Sequence, residues 1–301
     1  MVILLTQRRS KIVPTGPKKR RPPPPSKPGV VIFTDLEGTL LDFHTYSHAA
    51  ASAALREIKR LSVPLVLVSS KTRAEIAPLH QALALDTPFI AENGSAIFWP
   101  KRATPLRPHG AREKDGLWVR ELGLPYAVVR RRLVEFRAET GAPCEGFGDW
   151  SAETVARMAD IPLAMAPLAK KREYDEPFIF RPTPSDSVIQ NHLRHLTADG
   201  MSVVTGGRFF HLVGKVDKGL AVAELIRWFG SNAKVKPRTI AFGDSPNDWP
   251  MMSACDIGVA VKRPDGRYHA GLRAHKGIRL AGAPGPEGFN RMVLRLLKQL
   301  L

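Results

Sequence analysis

A chain of 301 residues, 44% of them hydrophobic, can bury a sizeable core in one large or two modest domains, which excludes wholesale disorder. Lys and Arg number 45 against 28 Asp and Glu, a net +17 that points to an anionic partner (nucleic acid or a small acidic ligand) or to a basic tail. Two distant cysteines, Cys144 and Cys255, exclude a disulfide scaffold and a metal spacing, and no apolar run reaches the roughly 20 residues that span a bilayer.

Residues 1–29 come first. They hold eight basic residues, no acid and seven prolines, so +8 of the +17 lies here and +9 remains for the rest. The run Pro22 to Pro25 blocks helix and strand pairing alike, and the segment reads as a disordered basic arm. Its plain interpretation is a solvated extension; the other is a contact with nucleic acid or an acidic surface. No aromatic is interleaved with the charges, which disfavours a stacking platform for single strands. The apolar run in MVILLTQRRS is too short for a secretory leader, and a reducing cytoplasm is the expected setting.

After Gly29 the texture changes. Val30 to Phe33 is apolar on both faces, as in a buried parallel strand, and ends at Asp35. Ala51, Ala54, Leu55 and Ile58 share a helical face. Leu65 to Val68 is a second strand, ending at Ser69 and Ser70. Thr72 and Glu75 have capping-box spacing at the start of the next helix. Phe89 to Ala91 is a third strand, closed by Glu92, Asn93 and Gly94. Alternating strands and helices predict a doubly wound α/β sheet. Residues 102–200 read differently, with helices expected over 127–139, 151–159 and 187–196 and strands around 178–180 and 202–204. They predict an inserted α+β module between core segments 30–101 and 201–301. The alternation then resumes. Val222, Leu225, Ile226 and Phe229 mark a helix, Thr239 to Phe242 and Ile257 to Val261 are strands, and Phe289 to Leu300 is a final amphipathic helix.

Ligands of open α/β sheets bind beyond the carboxyl ends of the strands. Three polar clusters stand there: Asp35-Leu36-Glu37-Gly38-Thr39, Ser69-Ser70, and Gly243-Asp244-Ser245-Pro246-Asn247-Asp248. Two acidic clusters on neighbouring strand ends suit a hard, oxygen-liganded Mg²⁺. A carboxylate beside such an ion stays ionised and can attack phosphorus, so Asp35 is a candidate nucleophile. Glu37 is a candidate general acid and base. Lys218 and Ser69 are candidates to hold a phosphoryl group, and Asn247 is a further phosphate contact. Taken singly, a strand-end Asp is more often a turn former or a cap.

The ordered set resembles the haloacid dehalogenase (HAD) superfamily of phosphotransferases. VIFTDLEGTLLD (31–42) is similar to its first motif, VLVSS (66–70) to its second, VDKG (216–219) to its third and FGDSPND (242–248) to its fourth. The insertion resembles the large cap of its sugar-phosphatase subclass. SSKTRAEI (69–76), AENGSAIF (91–98), GFGDWSAETVA (146–156), AKKREYDEPF (169–178) and GPEGFN (285–290) resemble the mannosyl-3-phosphoglycerate phosphatase family. The resemblance covers residues 30–301 and leaves the arm out. It implies a HAD-like core with an α+β cap, an aspartyl-phosphate on Asp35, proton transfer by Glu37, and phosphoryl contacts from Ser69 and Lys218. It implies Mg²⁺ on Asp35, the Glu37 carbonyl and Asp244, with Asp248 as a ligand or a support. The implied substrate is an anionic phosphorylated sugar-glycerate and the product a compatible solute. Nucleic acid is not required.

One position departs from the family pattern: residue 37 is Glu where the family has Asp. A misplacement near 1 Å can cost on the order of 10²-fold in rate. Three readings stay open, namely tolerance of the longer side chain, slower turnover of the aspartyl-phosphate, and an inactive relative. Lys71, Asn93 and Arg172 are candidates for the organic part of the substrate, and each would face the core–cap cleft if the resemblance holds. Their plainer readings are solvated helix-end charges for Lys71 and Arg172, and a loop residue for Asn93. Tyr174, Asp175 and Glu176 are expected to order the cap loop, the alternative being that they close over the sugar. The nine histidines are expected at the surface or partly packed, Trp249 below the fourth motif, and Cys255 in or beside the core.

Overall fold

The computed structural model describes residues 29–197, 200–233 and 235–301. The expected arm, all but Gly29, lies outside the described residues. In chain order the elements are β1 (Val30–Thr34), α1 (Ser52–Arg60), β2 (Leu65–Val68), α2 (Arg73–Ala82), β3 (Phe89–Ala91) and β4 (Ala96–Pro100). Then come β5 (Arg112–Lys114), β6 (Leu117–Glu121), α3 (Tyr126–Thr140), β7 (Cys144–Gly146), α4 (Ala152–Ala159), α5 (Ala166–Ala169), β8 (Glu176–Phe180) and α6 (Asp186–Leu196). The chain continues with β9 (Met201–Gly206), β10 (Phe209–Gly214), α7 (Lys218–Ser231), β11 (Arg238–Gly243) and α8 (Trp249–Ala254). It ends with β12 (Ile257–Lys262), α9 (Ala270–Arg273), β13 (Arg279–Pro284) and α10 (Gly285–Leu300).

The large sheet has the order β13-β12-β11-β1-β2-β3-β4-β6-β5. From β13 to β3 the pairing is parallel, as expected for strands apolar on both faces. β4, β6 and β5 extend it antiparallel. Alternate residues of one strand feed opposite layers. Val30 and Ile32 pack with α1 and α10, whereas Val31 and Phe33 pack with α7 and α8. The expected capping box forms at α2, where Thr72 Oγ1 accepts from the Glu75 N–H and a Glu75 oxygen accepts from the Thr72 N–H.

The second sheet, β7-β8-β10-β9, is antiparallel. Phe178, Phe180 and Leu212 bury against α3 and α6. Ile179 and Phe209, on the other face, pack against Phe147, Trp150 and the α4–α5 segment. The sheets divide the chain at points other than the expected 102 and 200. β5 and β6 belong to the large sheet, and β9 and β10 to the small one. β5 is three residues of Arg, Glu and Lys, two of them exposed, so no apolar run marks it. β10 packs on both faces, so its apolar run reads like that of a core strand. Among the described residues no helix is long and apolar enough to cross a membrane.

Candidate active site

The chain leaves β1 toward β2 on one side, and β11 lies on the other. Strand order reverses at β1, and the crevice that this opens at the strand ends is where the acidic clusters meet. Register puts Thr34 beside Phe242, so Asp35 and Asp244 emerge on neighbouring strands. The Asp35 N–H is fixed by the Phe242 carbonyl at 2.9 Å. Lys218 opens α7 with a fully buried side chain. Its Nζ lies 2.6 Å from Asp35 Oδ1 and 2.6 Å from Asp248 Oδ1. The other Asp248 oxygen accepts from the Asp244 and Ser245 N–H groups at 3.0 and 3.1 Å.

Asp35, Asp244 and Asp248 each offer a carboxylate oxygen, all within 4.8 Å of one another and all buried. Three carboxylates face one ammonium. Burial raises the Asp35 carboxyl to about 7; Lys218 pulls it down, and Asp248 and Glu37 push it up. Burial also holds Asp244 well above the usual carboxylate range, with repulsion from Asp248 and Asp35 added. Such a surplus of buried negative oxygen suits a hard divalent cation. Gly38 (φ +72°) keeps the cluster open, since a Cβ there would stand 2.9 Å from Asp244 Oδ2.

Beside the cluster lies a cavity of about 330 Å³ between the strand ends and the face of the small sheet that carries Phe209 and His211. Asp35, Glu37, Lys71, Arg172, Asp244 and Asn247 line it. Glu37 and Lys71 pair across it at 3.0 Å, and Lys71 also reaches Glu75 at 3.3 Å. Burial alone would raise the Glu37 carboxyl. Lys71, a hydrogen bond from Tyr46 and the Lys218 charge together leave it below its ordinary value. Neither Lys71 nor Arg172 is a solvated helix-end charge. The Lys71 side chain is 12% exposed and that of Arg172 6%. Arg172 donates to the carbonyls of Ser70 (2.8 Å) and Ala169 (2.9 Å), tying the α5–β8 loop to the end of β2.

Ser69 and Asn93 do not line this cavity. Ser69 is buried, and its Oγ accepts from the Lys71 N–H at 3.1 Å. Asn93 sits in the left-handed region (φ 58°), as a loop residue would. It lines a smaller cavity of about 200 Å³ with Lys218 and Asn247. Its side chain donates to Asp175 at 2.9 Å and accepts from Asn247 at 3.3 Å, joining the α5–β8 loop to the fourth motif.

Tyr174, Asp175 and Glu176 order this junction, as expected: Tyr174 donates to Glu121, Asp175 accepts from Asn93, and Glu176 accepts from Tyr126, Arg130 and the Gly148 N–H. His80 and His211 go beyond the surface or partly packed positions expected of the histidines, since both are buried. His211 lines the main cavity, and its Nδ1 meets Asp175 at 2.9 Å. Nothing near it in sequence marks it; only the alternation along β10, which sets it on the face of Phe209, does so. Tyr46 and Arg208 are further cavity residues without a sequence signal, and Glu75, marked in the sequence only as part of the α2 capping box, lines the cavity as well. Trp249 stacks on His275 with centroids 3.5 Å apart, and Cys255 packs beside the core.

A family profile described as haloacid dehalogenase-like hydrolase matches residues 32–109 and 172–267. A glucosyl-3-phosphoglycerate/mannosyl-3-phosphoglycerate phosphatase from Methanococcoides burtonii is 39% identical over 89% of this chain and 97% of its own length. A mannosyl-3-phosphoglycerate phosphatase from Pyrococcus furiosus is 33% identical over 77% of this chain and 90% of its own. Among solved structures, a HAD phosphatase from Bacteroides thetaiotaomicron superposes with a TM-score of 0.62. It is 20% identical and covers 94% of this chain and 99% of its own, a likeness of fold alone.

Proposed function

Because the chain belongs to the haloacid dehalogenase-like hydrolase family, we propose that this phosphoric monoester hydrolase acts on mannosyl-3-phosphoglycerate, releasing mannosylglycerate and phosphate. The glucosyl counterpart is the second substrate of this reading, since the Methanococcoides relative is named for both. The observation that carries the proposal is the pairing of the Asp35–Lys218 contact at 2.6 Å with a cavity walled by Lys71 and Arg172. The first suits a phosphoryl group, the second the carboxylate of a glycerate.

In this reading Asp35 attacks phosphorus, the ester P–O bond breaks, and an aspartyl-phosphate forms on Asp35. Glu37 delivers a proton to the departing glycerate oxygen, then takes one from the water that hydrolyses the aspartyl-phosphate. Glu37 rests as an anion against Lys71, ready for the second step; for the first it must gain a proton. Lys218, Ser69 and Asn247 hold the phosphoryl oxygens, Lys71 and Arg172 hold the organic part, and Asn93 acts from behind the cavity by tying Asp175 to Asn247. Asp35, Asp244, Asp248 and the Glu37 carbonyl would hold Mg²⁺, which would offset carboxylate and phosphoryl charge when bound. The cap excludes bulk water and selects the organic group.

A phosphate-release screen tests this, with Mg²⁺ present and then chelated. The two glycosyl-3-phosphoglycerates are expected to turn over at least tenfold better in kcat/KM than simple sugar monophosphates. The reverse order overturns the substrate assignment. The rival reading, a retired core whose basic arm binds nucleic acid, places its binding outside the described residues and predicts no phosphate release.

A further inference from the structure

We infer that His211 contacts the substrate, its Nε2 accepting a hydrogen bond from a hydroxyl of the sugar; this rests on the phosphatase reading above. His211 stands on β10, two residues from Phe209 and on the same face, and both line the main cavity. Its side chain is 7% exposed.

The ring is held from one side only. His211 Nδ1 lies 3.0 Å from Asp175 Oδ1 and 2.9 Å from Oδ2. Asp175 is fully buried, and its Oδ2 also accepts from Asn93 Nδ2 at 2.9 Å and faces Arg172 Nη1 at 3.8 Å. An ionised carboxylate only accepts, so the ring hydrogen belongs on Nδ1. The Arg172 cation balances the carboxylate, and the ring has to bring no more than that one hydrogen. Nε2 then presents a lone pair on the far side of the ring. Among the described residues nothing donates to Nε2, and the atom keeps contact with open space. Polar atoms of buried side chains are normally hydrogen-bonded, so an oriented acceptor left open on a cavity wall is a place for a ligand's donor.

The chemistry of the substrate says which donor. In a glycosyl-3-phosphoglycerate the first glycerate carbon is the carboxylate, the third bears the phosphate and the second bears the sugar. Every free hydroxyl is therefore on the sugar. A carboxylate and a phosphate dianion bring no hydrogen and suit Lys71 and Arg172 instead, which line the same cavity. A hydroxyl answers the lone pair of Nε2. Mannose and glucose both supply hydroxyls, so the contact serves either glycosyl ester.

The test compares kcat/KM on mannosyl-3-phosphoglycerate with kcat/KM on 3-phosphoglycerate, which keeps both anions and lacks the sugar. His211→Asn leaves a donor for Asp175 and removes Nε2, whereas His211→Gln restores an acceptor near its place. The ratio of the two values is expected to fall about tenfold in His211→Asn, mainly through KM on the glycosyl ester, and to recover at least about threefold in His211→Gln. An unchanged ratio, whatever loss the two substrates share, overturns the proposal and leaves the ring as a support for Asp175 alone. The ratio does not depend on how much of a preparation is folded. Titration calorimetry with mannosylglycerate needs no turnover. Its Kd is expected to weaken about tenfold in His211→Asn, and an equal Kd overturns the contact. A wild-type chain that hydrolyses with an unaltered ratio in both variants keeps the phosphatase reading and loses only the contact. One that hydrolyses neither ester and binds no mannosylglycerate overturns both.

Discussion

The Lys218 ammonium touches Asp35 and Asp248 equally, yet only Asp35 borders the cavity. One Asp248 oxygen is spent on backbone N–H groups of its own loop, and the other orients the lysine that also meets Asp35. Asp35→Asn keeps the shape and removes the nucleophilic charge. It is expected to lower phosphate release at least about 10³-fold with the melting temperature held within a few degrees. Undiminished turnover would remove Asp35 from its role. The surplus of carboxylates makes a second expectation. Mg²⁺ should raise the Tm of the wild-type chain by several degrees, chelation should reverse the rise, and Asp244→Asn should blunt it. An unchanged Tm would count against a cation on this cluster.

At the scale of elements, the turn after β3 holds core and cap together. Glu92 is fully buried, and its carboxylate accepts from the Glu173 and Tyr174 N–H groups at 3.0 and 2.8 Å. Burial pushes it from the ordinary 4.5 to about 8, against the pull of Arg172. The folded state therefore keeps this proton up to about pH 8, whereas the unfolded chain releases it near 4.5. The stabilisation is complete below about pH 4.5 and is lost as the pH rises toward 8. Glu92→Gln stays neutral, and its Tm is expected to fall less than that of the wild type across this window, by about 2–4 °C at pH 9. Parallel curves would refute the account. Two residues on, Gly94 has φ +95°, and a Cβ there would stand 2.0 Å from the Asp217 carbonyl oxygen, just before α7. Gly94→Ala should cost about 3 kcal/mol or more in denaturant unfolding, because backbone has to move. A loss below about 1 kcal/mol would mean that the turn yields.

The same elements show what a sequence discloses. β1, β2, β3, β11 and β12 were legible because a strand buried on both faces needs an unbroken apolar run, and their ends named Asp35, Ser69 and Asp244. The α2 capping box was legible because it is local. β5, with its exposed charged residues, was not. Nor was the Asn93–Asp175–His211 chain, whose members lie far apart in sequence and meet only because the small sheet folds over the large one. Polar contacts between separate layers leave no period to read.

At the scale of the whole molecule, nearly half of the net charge belongs to residues 1–29, which apart from Gly29 lie outside the described residues. A chain lacking them is expected to keep kcat and KM within about twofold at 0.15 M salt, where the Debye length is about 8 Å. A tenfold loss would make the arm part of the site. The remaining +9 suits a substrate with both phosphate and carboxylate. The path of the chain carries a further consequence. It leaves the large sheet after β6 and returns after β10, and there Gly214 sets its missing Cβ position 3.6 Å from the Gly123 Cα. Exit and return are one point in space. The segment between them is thus a cassette on a single stem, which another insert could replace without re-threading the layers beneath it. New substrates could be acquired there by exchange of a module, while the phosphoryl chemistry on the strand ends is inherited unchanged.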